Sequence, residues 1–207
     1  MTLKIFEQKL KGQCKKLYVS LRDGSREENL KRKKLNSLTD IVFIGRKNTK
    51  KLFQSCIITF GNALERATMD YAQEMKAKVY KDKRFLAAEI DIVFRIRQIV
   101  YNLESKSNIE LDLGKTKKAL ETLKRKHKIV FNALDCQNER WQVISKFVVW
   151  TKATSKDALI TAKRPLEEKD LMGFQDFFKI FNQEVNKEEF FKMLQQVWLK
   201  EVERYFK

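Results

Sequence analysis

The stretch that decides the fold is Ala88-Glu-Ile-Asp-Ile-Val-Phe-Arg-Ile-Arg-Gln-Ile-Val-Tyr-Asn-Leu-Glu-Ser-Lys-Ser-Asn108. Two β-branched and aromatic runs, Glu89 to Arg95 and Ile99 to Lys106, flank a polar Arg97-Gln98 and predict an antiparallel hairpin. Ile90, Ile92 and Phe94 point one way; Glu89, Asp91 and Val93 point the other. Leu103 and Ser105 likewise oppose Asn102, Glu104 and Lys106. With Arg97-Gln98 as a two-residue loop, Ile96 faces Ile99, Asp91 faces Glu104 and Glu89 faces Lys106. Directly opposed residues share a sheet face. One face therefore gathers three carboxylates and a lysine. The loop lacks the Gly or Asn that primed hairpin turns favour; a four-residue loop centred at the same place keeps this pairing, and an odd-length loop breaks it.

Working outward, the 207 residues suffice for one domain with a real core. Lys and Arg outnumber Asp and Glu by 44 to 27, a formal charge of +17. That excess points to a polyanionic partner, nucleic acid before an anionic membrane, or to a merely soluble basic protein. Cys14, Cys56 and Cys136 have no paired spacing and read as buried thiols in a reducing compartment, not as disulfides or zinc ligands. No apolar run is long enough to span a bilayer or serve as a secretion signal, so a soluble cytoplasmic protein is expected.

N-terminal to the hairpin, Leu3, Phe6, Leu10, Cys14 and Leu17 predict an amphipathic helix ending before Asp23-Gly24. Ser25 to Leu38 reads as a short charged helix, and Asp40 to Ile44 as an early strand or buried turn. Phe53, Ile57, Phe60, Leu64, Thr68, Tyr71 and Met75 predict one long helix over about residues 49–80. Beyond the hairpin, a charged helix is predicted from Lys115 to His127 and a strand from Ile129 to Leu134, together forming a βαβ crossover. Trp141 to Trp150 is a further strand. Phe174, Phe177, Phe178 and Phe181 mark a short aromatic helix. Asn186 caps a last helix that buries Phe190, Leu194, Val197, Trp198, Val202 and Tyr205. The expected class is a mixed α/β fold, a central mixed sheet flanked by helices. Its core spans residues 49–150, with N-terminal helices over 1–48 and a C-terminal part over 151–207, all in one domain.

Two opposed carboxylates with a lysine two residues beyond one of them suit metal-dependent phosphodiester hydrolysis. Asp91 and Glu104 would offer oxygen ligands to Mg²⁺, which binds few protein groups, with the Ser105 carbonyl completing the shell. The metal would polarise the phosphate, and Lys106 would orient or deprotonate the attacking water. Facing carboxylates repel, so their pKa as a coupled pair should be raised without metal. The plainer reading is a surface hairpin with ordinary cross-strand charge pairs. Leu113-Gly-Lys-Thr116 ends like a phosphate-binding loop, but Ile109 stands where its first glycine belongs. The single histidine, His127, excludes His-pair nuclease sites and is expected to be solvated or to touch phosphate.

Asp91, followed by Glu104-Ser105-Lys106, resembles the signature of the PD-(D/E)XK nuclease superfamily, and the longer string through Asp112 resembles type II restriction endonucleases. The resemblance implies a restriction-endonuclease-like core and Mg²⁺-dependent cleavage of double-stranded DNA. It also implies a homodimer, with the aromatic C-terminal helices as one choice of interface, and a cognate DNA methyltransferase in the same system. Glu65 matches the extra acidic residue that family often carries on the preceding helix. Ile90 replaces the motif's proline.

Base reading is assigned to the donor-rich segment 151–164: Lys152, Lys156, Lys163 and Arg164 for guanine edges or phosphates, with Thr154, Ser155 and Asp157 beside them. An ordinary flexible loop is the alternative. Asn108 and Lys115 join the DNA-facing set, although Lys115 and Asp112 also suit capping of the next helix. Lys124, Arg125 and Lys126 are expected to meet phosphates or water. A repair or junction-resolving nuclease, or a DNA-binding protein without catalysis, fits the same residues.

Overall fold

The computed structural model describes residues 2–32, 59–81, 90–106, 113–162 and 165–206. The hairpin forms at the centre of a five-stranded mixed sheet. Strands β1 (Lys78–Val79), β2 (Ile92–Ile96), β3 (Ile99–Lys106), β4 (Gln142–Val149) and β5 (Leu171–Gly173) lie side by side in chain order. The first three are antiparallel, and β4 and β5 add in parallel. The β2–β3 pairing runs from Ile92 opposite Leu103 to Ile96 opposite Ile99, the register that a two-residue loop at Arg97-Gln98 gives. Arg97 carries a positive φ of 54°. It turns the two-residue loop without glycine, at a cost of about 1–2 kcal/mol that the buried pairs on either side offset.

Helices cover both faces. On one lie α1 (Thr2–Arg32), α2 (residues 59–74), α5 (Phe174–Lys179) and α6 (Lys187–Phe206). Their buried side chains join Ile92, Phe94, Leu103, Val148 and Trp150 in the largest core cluster. It is built of aromatics: the Phe174 and Phe190 rings stack 4.0 Å apart, and Phe6 meets Phe178 edge-on at 5.3 Å. The opposite face carries α3 (Leu113–Ala133) and α4 (Ser155–Thr161). There Val93, Val100 and Val130 form one cluster, and Leu123, Phe147, Val149 and Ala158 another. Cys14 and Cys136 are buried, as expected of structural thiols; Cys56 lies outside the described residues.

Several boundaries differ from the sequence reading. α1 continues through Asp23-Gly24 to Arg32, fusing the two helices expected there; a lone glycine costs a helix only about 1 kcal/mol. The second helix stops at residue 74, short of 80. Lys76 takes φ 63°, its N–H bonds Gln73 O, and Ala77 N–H bonds Ala72 O. This is a Schellman stop with lysine in the usual glycine position. Ile129 to Leu134 is not a strand: α3 runs to Ala133, because Val130 continues the stripe of Leu123. The parallel partner of β3 is instead β4. The residue 40–44 run and residues 49–58 of the expected long helix lie outside the described residues. Phe174, Phe177, Phe178, Phe181 and Phe190 are all buried within this chain, so the aromatic faces offered as a dimer interface are core.

Candidate active site

Alternation along β3 puts Asn102, Glu104 and Lys106 on the α3 side of the sheet, with Val93 and Val100. Asp91 stands one residue beyond the last pair of the β2–β3 ladder, on the side of Glu104. Its Oδ2 accepts the Ser105 N–H at 3.1 Å, which fixes the carboxylate against the end of β3. Lys106 Nζ donates to Glu104 Oε1 at 2.9 Å. Glu89 lies outside the described residues.

The sequence reading missed the residue at the centre. Lys126, reaching in from α3, hydrogen-bonds Glu104 Oε2 and lies 3.9 Å from Asp91 Oδ1. Its side chain is 5% exposed, against 30% for Lys106. A lysine this buried is rare unless paired. The signal was available: residues 116, 119/120, 123, 126/127 and 130 trace one 3.6-residue stripe, and Lys126 falls on it between Leu123 and Val130. Within Lys124-Arg-Lys126 it is therefore not a solvated or phosphate-touching cation but part of the floor.

Burial first, and Glu104 second, raise the Asp91 carboxyl to about 6; Lys126, the Ser105 N–H and Lys106 pull it back only in part. The elevation expected of this carboxylate pair is therefore present at Asp91. Glu65, half-buried on α2, is raised to about 7 by burial and then by the Asp91 and Glu104 charges. α2 thus brings Glu65 within electrostatic reach of the cluster. Carboxylates that resist ionisation this strongly mark a place where a cation is favoured.

Among the described residues, no three His, Cys, Asp or Glu side chains converge on one point to hold a metal. Two carboxylates suffice for Mg²⁺, which retains several waters. The pair already shares one cation, the Lys126 ammonium. The Gln142 N–H bonds Gln98 O and the Trp150 N–H bonds Lys106 O, so even-numbered carbonyls at this edge of β3 point to β4. The Ser105 carbonyl therefore points toward the Asp91 side. Its hydroxyl is on the other face, accepting from Trp150 Nε1 at 3.1 Å. Asp91, Glu104 and the Ser105 carbonyl fit a hard divalent cation by type and placement.

The base-reading segment is more ordered than a reading loop. Thr154 and Asp157 form a reciprocal capping box on α4, and Ser155 Oγ donates to Glu168 Oε1 at 3.1 Å. These three side chains serve the local fold. Lys156 is exposed and Lys152 half-buried, while Lys163, Arg164 and Asn108 lie outside the described residues. Gly173 anchors the segment: a Cβ there would lie 2.3 Å from the Ala153 backbone carbonyl. Lys115 sits in the first turn of α3. His127 is half-buried and not isolated; its Nδ1 lies 3.0 Å from Ser145 Oγ, which also accepts from Asn102 Nδ2 at 3.0 Å. Burial lowers its pKa.

No helix among the described residues is long and apolar enough to cross a membrane. Comparison with protein-family models, curated proteins and solved structures finds no match to the chain.

Proposed function

We propose that this protein is a Mg²⁺-dependent endonuclease acting on double-stranded DNA, in the manner of the type II restriction enzymes its motif resembles. The observation that carries the reading is the meeting of Asp91, Glu104 and Lys106 on one sheet face over a buried Lys126. An antiparallel hairpin followed by a parallel crossover supports a restriction-endonuclease-like core. The excess of positive charge supports a phosphate backbone as partner.

Asp91, Glu104 and the Ser105 carbonyl would hold the metal. When bound, Mg²⁺ supplies Lewis-acid activation of the phosphate and a more acidic water. Lys106, the more exposed lysine, orients the attacking water and offsets charge on the phosphate. Lys126 faces only inward and acts as a positioning residue, holding Glu104 and Asp91 in place. Glu65, with a carboxyl near 7, can take or give a proton near neutral pH.

The test is plasmid digestion with Mg²⁺ by the wild-type chain and by Asp91→Ala, Glu104→Ala and Lys106→Ala. Discrete fragments from the wild type and none from the folded variants are expected. Nicking only at branched or damaged DNA would move the reading to a repair nuclease. DNA binding without cleavage, or wild-type rates in any variant, would overturn it.

A further inference from the structure

Beside the carboxylate cluster, between α3 and β4, opens a cavity of about 510 Å³. Its walls are mainly apolar, contributed by Leu123, Val143 and Ile144, and three lysines, Lys124, Lys128 and Lys169, stand around them. Lys169 also pairs with Glu167, while Lys124 and Lys128 are exposed. His127 and Ser145 supply the polar part.

That polar part is held in place. Ser145 Oγ accepts from Asn102 Nδ2 and lies 3.0 Å from His127 Nδ1, so hydroxyl and ring are fixed against β3. The cavity thus offers apolar walls, an anchored imidazole and hydroxyl, and a cationic rim. A nucleotide has the matching parts: a base with apolar faces and acceptor edges, and a phosphate one sugar away. The volume falls in the range of small-molecule sites.

Position adds to the match. Asn102 lies two residues before Glu104 on the same face of β3, and His127 follows Lys126 on α3. Cavity and cluster therefore share the α3 wall, and the Asn102–Ser145 bond ties the cavity's polar side to the strand that carries Glu104.

We propose that this cavity is a nucleotide subsite, which seats one unpaired nucleotide of the substrate strand with its base on the apolar walls and its phosphate on the lysine rim. The substrate assignment rests on the nuclease reading above; the cavity's affinity for a nucleotide does not. An extruded or strand-terminal nucleotide is the form that fits, because a paired base keeps its faces stacked within the duplex.

The experiment is an NMR titration of the intact chain without metal, using dAMP and, separately, inorganic phosphate. Saturable shifts at the Leu123 and Val143 methyl groups are expected, with dAMP bound at least about ten-fold tighter than phosphate. Replacing the two exposed lysines (Lys124→Glu with Lys128→Glu) should weaken dAMP by about ten-fold or more. Equal affinity for phosphate, shifts confined to other surfaces, or no saturation would overturn the subsite. Because no cleavage is involved, a chain that cuts DNA but leaves these methyls unmoved refutes the subsite alone. One that binds dAMP here yet never cuts supports the subsite and refutes the nuclease.

Discussion

Replacing Asp91 with asparagine should make the protein more stable and inactive at once. Asparagine keeps the size of the side chain and an oxygen able to accept the Ser105 N–H, so the 3.1 Å bond survives. What disappears is a charge that burial and Glu104 disfavour. An aspartate has an ordinary pKa of 3.8, and this one is held at about 6. At about 1.4 kcal/mol per pH unit, ionising it in the native state costs up to about 3 kcal/mol above pH 6. That shift is already net of the Lys126 attraction, and solvent screening of a carboxylate that is one-fifth exposed reduces the gain to about 1–2 kcal/mol. For a chain of this size that is a rise in Tm of about 3–6 °C.

The pH dependence fixes the cause. A carboxyl whose pKa is raised on folding lowers stability above its native pKa and is without effect below its unfolded one. The gain in Asp91→Asn should therefore be full near pH 8, decline between about 6 and 3.8, and vanish near pH 4 or below. Thermal melts with chelator at both ends of that range, alongside plasmid cleavage, make the measurement. A lower Tm near neutral pH, or an equal gain at both ends, would refute the electrostatic reasoning.

Lys126→Met should do the reverse, costing about 3–5 kcal/mol near pH 8 because it strands two half-buried carboxylates. The penalty should shrink on acidification to about pH 5, as Asp91 and Glu65 take up protons; an equal shift in urea midpoint at both values would reduce Lys126 to packing. Arg97→Gly should raise stability by about 1 kcal/mol, or about 2–4 °C in Tm, by relieving the left-handed conformation in the hairpin loop. A fall in Tm would mean that Arg97 makes a compensating interaction stronger than its strain.

The sequence was most legible where one face of a strand had to be buried. Ile92, Phe94 and Leu103 on one side and Val93 and Val100 on the other mark the two strands, and the polar Arg97-Gln98 between them places the loop and with it the facing of Asp91 and Glu104. Legibility failed where a residue type was used against its habit. Lys76 stops a helix in the place of glycine, and Lys126 occupies an apolar stripe position that only its neighbours' periodicity betrays. Ile129 to Leu134 has strand composition, yet the helical stripe through Leu123 and Val130 prevails. The capping pair Thr154 and Asp157 is present in the sequence, yet its side chains suit contacts to DNA as readily as a helix cap.

The packing of α1 has a consequence for how the molecule is made. Phe6 lies against Phe178 and Phe190, on elements from the far end of the described chain. During synthesis α1 emerges with its apolar stripe uncovered, and these partners follow only after the whole sheet has been made. Such distant contacts slow folding and leave the early helix open to wrong partners. The same order separates the two faces of the sheet in time. The hairpin and α3 can be present together while the opposite face still lacks part of its aromatic cover, so the carboxylate cluster can gather before the larger core closes behind it.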